Sequence, residues 1–140
     1  MGYCIEREAL RVYGLDRVVS LEITEGRFDM EKGFDVDELF ATSFGIYLPE
    51  EGAKTIIFRT SATEAKYLRD LPLHSSQEEV KTEGDSVTFS IFVCPNRNLI
   101  MEFCKYGDRL EVLSPESIRN EVASQLTRAA ALYCNTQHSE

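Results

Sequence analysis

The chain has 140 residues, 43% of them apolar, which allows one sizeable core or two small ones. Its 24 acidic against 15 basic side chains, with a sequence pI near 4.8, oppose broad electrostatic binding to duplex DNA, so any polyanion site must be local. Residues 1–7 lack the apolar core of a signal peptide, and no apolar run approaches the ~18 residues of a membrane span.

Residues 3–5, 10–13 and 17–23 predict three short strands at the start, with β-branched residues in the third and breaks at Gly14 and at Glu25-Gly26. Three short strands leave open sheet edges, so further partner strands are expected upstream. Asp35 with Glu38 three residues on predicts an N-capped helix over residues 35–40, followed by a linker at Gly45 and residues 49–52.

Residues 54–60 begin a second unit with a strand apolar enough for a central position. Ser61-Ala62-Thr63-Glu64 has the spacing of a capping box, Tyr67, Leu68 and Leu71 are placed on one helical face, and Pro72 stops that helix. A hairpin follows: residues 78–82 and 86–94 flank Glu83-Gly84-Asp85, with Val87, Phe89, Ile91 and Val93 alternating as one buried face. Asn96 caps a helix carrying Leu99, Ile100 and Phe103, Gly107 ends it, and residues 109–113 supply a fourth strand. Ser114-Pro115-Glu116 opens a last helix to about Tyr133, with a stripe of Ile118, Val122, Leu126, Ala129 and Tyr133 opposite Arg119, Ser124 and Arg128.

Strand, helix, strand, strand, helix, strand is the order of a ferredoxin-like α+β sandwich, an antiparallel sheet with both helices on one face. The chain therefore divides into short strands over residues 1–30, a short helix and linker over 31–53, the ferredoxin-like unit with its terminal helix over 54–134, and a disordered tail over 135–140.

Residues 11–18, Arg-Val-Tyr-Gly-Leu-Asp-Arg-Val, resemble the Arg-x-aromatic-x-Leu-Asp-Arg-Ile stretch that ends the WYL domain of bacterial transcriptional regulators, with Val18 in place of Ile. Phe28, the Phe-Asp-Val-Asp-Glu-Leu-Phe segment at residues 34–40 and Ser43-Phe44-Gly45 follow in the order of that family. Residues 72–77 (Pro-Leu-His-Ser-Ser-Gln) and 107–119 resemble segments of the WYL C-terminal extension. The resemblance implies a partial SH3/Sm-like β-barrel ahead of the ferredoxin-like extension. It departs from the family in that the chain has no tryptophan and hence no Trp-Tyr-Leu tripeptide, while Gly2-Tyr3-Cys4 resembles the residues that follow it. The helix-turn-helix domain of such regulators is absent from this chain, so promoter DNA is expected to be reached only through one.

The resemblance also implies a single-stranded nucleic-acid or nucleotide effector held by the basic strand. Arg11 and Arg17 are expected to grip phosphate with their guanidinium forks and Tyr13 to stack on a base. The competing structural role pairs Arg17 with Asp16 and buries Tyr13. His74 and Gln77, with Ser76 between them, either face the ligand or satisfy backbone groups of their own loop. Arg59 either points into the same groove as His74 or is solvated.

With no Gly-rich phosphate loop, no HExxH and no nucleophile beside a base, no enzyme is expected. Cys4, Cys94, Cys104 and Cys134 form no CxxC pair and only His74 and His138 could complete a metal site, so neither metal, cofactor nor disulfide is expected. The functional expectation is the effector-sensing and homodimerising region of a cytoplasmic regulator with no membrane partner. In it, ligand would shift the placement of barrel and extension about a hinge near residues 49–52. The alternative is a purely structural dimerisation module.

Overall fold

In the computed structural model, residues 1–28, 35–47 and 52–134 are described. β3 (Lys54–Ser61) sends Ile56, Phe58 and Thr60 to one side as its alternation requires. It runs straight into α2 (Ala62–Asp70), where Ser61 Oγ accepts the Glu64 N–H at 3.2 Å. The Glu64 carboxylate turns to Arg109 at 3.2 Å, so the reciprocal half of the capping box is replaced by an ion pair. Ala65 and Leu68 form the inner stripe of this helix, whereas Tyr67 and Leu71 are exposed, against expectation. Tyr67 sits ~100° around the helix from Leu68, and Leu71 follows the last helical residue.

β4 (Glu78–Glu83) and β5 (Ser86–Val93) form the expected hairpin, turning at Gly84, whose φ of 57° suits glycine. α3 (Arg97–Tyr106) is capped by Asn96 Oδ1, which accepts the Leu99 N–H at 3.0 Å, and ends at Gly107 with φ 59°. β6 (Leu110–Ser114) completes a four-stranded sheet of order β4-β5-β3-β6 in which every neighbouring pair is antiparallel. That strand order, with the βαββαβ chain order, is the ferredoxin-like topology.

The helices cover the face bearing Ile56, Phe58, Val87, Phe89, Ile91, Val93, Leu110 and Val112. Phe58 stacks on Phe89 with centroids 5.7 Å apart and meets Phe103 of α3 at 5.6 Å. Burying each such ring contributes roughly 2–3 kcal/mol, so this trio anchors the sheet to α3. β4 is exposed along its whole length and carries a bulge between Glu79 and Lys81, so charge and irregularity protect the edge.

α4 (Glu116–Cys134) starts one residue past Pro115, whose carbonyl accepts the Ile118 and Arg119 N–H groups, both at 3.1 Å. Ile118 and Val122 are buried and Leu126 partly so. Ala129, Leu132 and Tyr133 are exposed, so the anticipated stripe outlasts the core it packs on.

At the N-terminus β1 (Gly2–Cys4) pairs antiparallel with β2 (Ala9–Arg11). The third expected strand is not formed: Leu15–Arg17 makes a 3-10 turn and residues 18–28 have no regular structure. Val19, Leu21 and Ile23 keep their alternation yet stand almost wholly exposed. A two-stranded hairpin offers no apolar face against which a third strand can settle. α1 (Val36–Phe40) is capped as expected, Asp35 accepting from the N–H groups of Asp37 (2.8 Å) and Glu38 (3.3 Å). The Phe34, residue 49–51 and residue 135–140 expectations lie outside the described residues.

Candidate functional site

The hairpin register sets Arg11 opposite Gly2, and both Arg11 and Arg17 are exposed. Tyr13 is 51% exposed rather than buried. Its ring lies against Gly2, where a Cβ would meet it at 3.5 Å, and its hydroxyl engages Cys4. That hydrogen bond pulls the Cys4 thiol below its usual range and holds the proton on Tyr13. Arg17 comes within 3.9 Å of Asp16, but both side chains are more than 80% exposed, so the pair contributes little. Two exposed guanidinium groups and a half-exposed phenol ring on one short segment suit an anionic, aromatic ligand.

Arg59 lies on the other face of the sheet, where it pairs with Glu111 of β6. Glu111 also receives Arg119 of α4 at 2.7 Å, and the same guanidinium donates to the Val112 carbonyl at 2.8 Å. Arg119 and then Arg59 hold the Glu111 carboxyl below the usual carboxylate range. The sequence sets Arg119 on the face of α4 opposite its apolar stripe. It reaches round the β6 edge instead, because the helix packs beside that strand.

His74 occupies a different neighbourhood from Arg59. Its Nδ1 meets Ser76 Oγ at 2.8 Å and accepts the Ser76 N–H at 3.1 Å, while its ring also contacts the Ser43 backbone. Burial lowers its pKa, only partly offset by the Ser43 contact, so it is neutral at pH 7. Ser76 Oγ accepts the Phe92 N–H at 2.8 Å, and its one proton is shared between His74 Nδ1 and the Phe92 carbonyl at 3.1 Å. The β4–β5 register, with Glu78 opposite Ser90, would set residue 76 opposite Phe92, so one hydroxyl replaces a missing step of the ladder.

Gln77 Nε2 donates to the Leu68 carbonyl at 2.7 Å and its Oε1 accepts the Leu73 N–H at 3.0 Å. The need is local. Leu68 is four residues before Pro72, which has no N–H, so the helical partner of that carbonyl is missing. His74, Ser76 and Gln77 therefore fix their own loop.

Residues 42–44 were not foreseen as part of this region. The Cys94 N–H donates to the Thr42 carbonyl at 2.7 Å, Ser43 bridges Cys94 in parallel, and Asn96 Nδ2 donates to the Phe44 carbonyl at 2.8 Å. Asn96 thus serves two elements, its oxygen capping α3 and its amide holding Phe44. The available signal was chemical: an amide cap uses its acceptor and leaves two donors. Among the described residues no group of three or more metal-ligating side chains occurs, and no helix is long and apolar enough to cross a membrane.

An antiparallel four-stranded sheet with three helices on one side, preceded by a docked connecting segment, defines an α+β domain of ferredoxin-like topology. The family model of the WCX domain matches residues 54–130, and the chain belongs to that family, which occurs in WYL-domain regulators. A solved structure that the chain resembles is the proteasome accessory factor B/C (PafBC) of Arthrobacter aurescens, with 20% identity and a TM-score of 0.44 over 90% of this chain. The chain spans 19% of the length of that protein. No curated protein matches the chain.

Proposed function

We propose that the chain is the effector-sensing region of a cytoplasmic transcriptional regulator, responding to a single-stranded nucleic acid or nucleotide and pairing as a homodimer. The observation that carries this reading is a WCX domain at residues 54–130 on a chain whose leading segment leaves each of Arg11, Tyr13 and Arg17 exposed. Guanidinium forks suit phosphate, and a half-exposed ring suits a base. Promoter contact falls to a helix-turn-helix domain outside this chain, and the reading assigns no catalysis, cofactor or membrane.

Fluorescence anisotropy with labelled short single-stranded DNA, competed by free nucleotides, tests it. Arg11→Ala and Arg17→Ala should each weaken binding about tenfold, as loss of a charge-assisted hydrogen bond would. Wild-type affinity in both variants would refute the assigned contacts.

The exposed distal half of α4 favours a second reading, a structural dimerisation module. Both readings expect a dimer that Leu132→Glu dissociates in sedimentation, and single-stranded DNA binding separates them: under this second reading none occurs.

A further inference from the structure

A groove of about 660 Å³ lies between the start of β3, the first turn of α3 and the outer side of α4. Its lining includes Arg97, Ile100, Ile118, Glu121, Gln125 and Arg128. The volume is that of small-molecule sites, roughly 300–1,000 Å³. Ile100 and Ile118 are almost fully buried and supply an apolar floor.

The charges single this groove out. Residues 52–134 hold six arginines, and four of them, Arg59, Arg69, Arg109 and Arg119, are paired with carboxylates. The other two, Arg97 and Arg128, make no hydrogen bond or ion pair among the described residues, and both line this groove. Acids outnumber bases by nine in the chain, so partners are abundant. The groove's one acid among these residues, Glu121, takes the Gln125 amide at 3.1 Å rather than either arginine. Two open guanidinium forks over an apolar floor are therefore left facing solvent.

We propose that this groove binds a small molecule bearing a phosphate group, held by Arg97 and Arg128 with its organic part against Ile100 and Ile118. Guanidinium forks match phosphate oxygens bidentately, and the positive end of the α3 dipole adds to their field. The net charge of −9 disfavours long polyanions and leaves a compact ligand of one or two charges as the better occupant. The site shares no residue with Arg11, Tyr13 and Arg17 and does not rest on the function proposed above.

The test is calorimetric and NMR titration of the 140-residue chain with adenosine monophosphate and with inorganic phosphate. Binding should shift the amide signals of Arg97, Ile100 and Arg128. Arg97→Ala and Arg128→Ala should each weaken it about tenfold, Glu121→Gln should strengthen it, and Arg119→Ala should leave it unchanged. Both arginines are exposed, so the variants should keep the wild-type melting temperature. No saturable binding of either probe at millimolar concentration would overturn the proposal, as would undiminished binding in the Arg97→Ala/Arg128→Ala double variant. Tighter binding of a thymidine oligonucleotide than of adenosine monophosphate through these two arginines would overturn the small-molecule assignment. Loss of DNA binding in Arg11→Ala or Arg17→Ala leaves these readouts untouched, so the two ideas fail separately.

Discussion

Gln77→Ala should destabilise the WCX domain without needing any ligand to reveal it. The substitution removes two hydrogen bonds, to the Leu68 carbonyl at 2.7 Å and from the Leu73 N–H at 3.0 Å. At ~0.5–1.5 kcal/mol each the loss is about 2 kcal/mol, with Pro72 unable to take over the carbonyl. A unit of about 80 residues unfolds with an entropy of ~2.1 cal/mol/K per residue, near ~0.17 kcal/mol/K in all, so Tm should fall by roughly 12 °C. Circular dichroism melts of wild type and variant measure this directly. Gln77→Glu is the companion: it keeps an acceptor for Leu73 but sets a carboxylate oxygen against the Leu68 carbonyl, and should melt at least as low. A Gln77→Ala melt within ~2 °C of wild type would show that the loop is not held in this way. A ligand-contact role would instead leave Tm alone and cut affinity.

His74 has a folded pKa below 6.5, so the unfolded chain binds a proton more readily and stability falls as pH drops from 6.5 through the folded value. Melts between pH 7 and 5 should show this slope, and His74→Asn should flatten it. Glu79 and Glu111 have depressed pKa values, so their contributions hold above about 4.5 and disappear at lower pH, outside that window. A double-mutant cycle on Arg119 and Glu111 should give a coupling of roughly 0.5–1 kcal/mol, since both groups are nearly half exposed, and a value near zero would remove the pair from the account of the β6 edge. Asn96→Asp should keep the α3 cap yet release Phe44, so hydrogen exchange at the Cys94 amide should quicken while the Leu99 amide stays protected.

The ferredoxin-like half was legible because its signals are local. Val87, Phe89, Ile91 and Val93 alternate, Gly84 and Gly107 mark positive φ, and Asn96 caps at the right spacing. The inner face of α2 was not legible, since a nine-residue helix on a sheet buries one narrow stripe, and Ala65 is as good a filler there as a larger residue. The N-terminal strands were half legible. Val19, Leu21 and Ile23 carry the strand pattern, but a pattern becomes a strand only against a partner edge. For the site, the family resemblance together with residue type implied phosphate at Arg11 and Arg17, while the hydrogen bonds of Gln77 arise from the N–H that Pro72 lacks, four residues past Leu68. Arg59 could not be told from a solvated arginine, because Glu111 reaches it from 52 residues away.

The docking of residues 42–44 moves the place where any ligand-driven motion can begin. A hinge near residues 49–52 was expected, and residues 49–51 lie outside the described part of the chain. The chain on either side of them is fixed to one strand end: Ser43 bridges Cys94, and Lys54 pairs with the adjacent Val93. A connection anchored at both ends to neighbouring residues cannot carry relative motion of two bodies, whatever its own freedom. Phe44 is packed on the core as well, so detaching the segment means exposing an aromatic ring and breaking one backbone and one side-chain hydrogen bond together. Displacement of the Arg11 to Arg17 segment relative to the WCX domain must therefore originate before Thr42, or must first strip residues 42–44 from Cys94 and Asn96. In the second case the Thr42–Cys94 and Phe44–Asn96 bonds are the latch, and a ligand acting across it has to supply the few kcal/mol they hold.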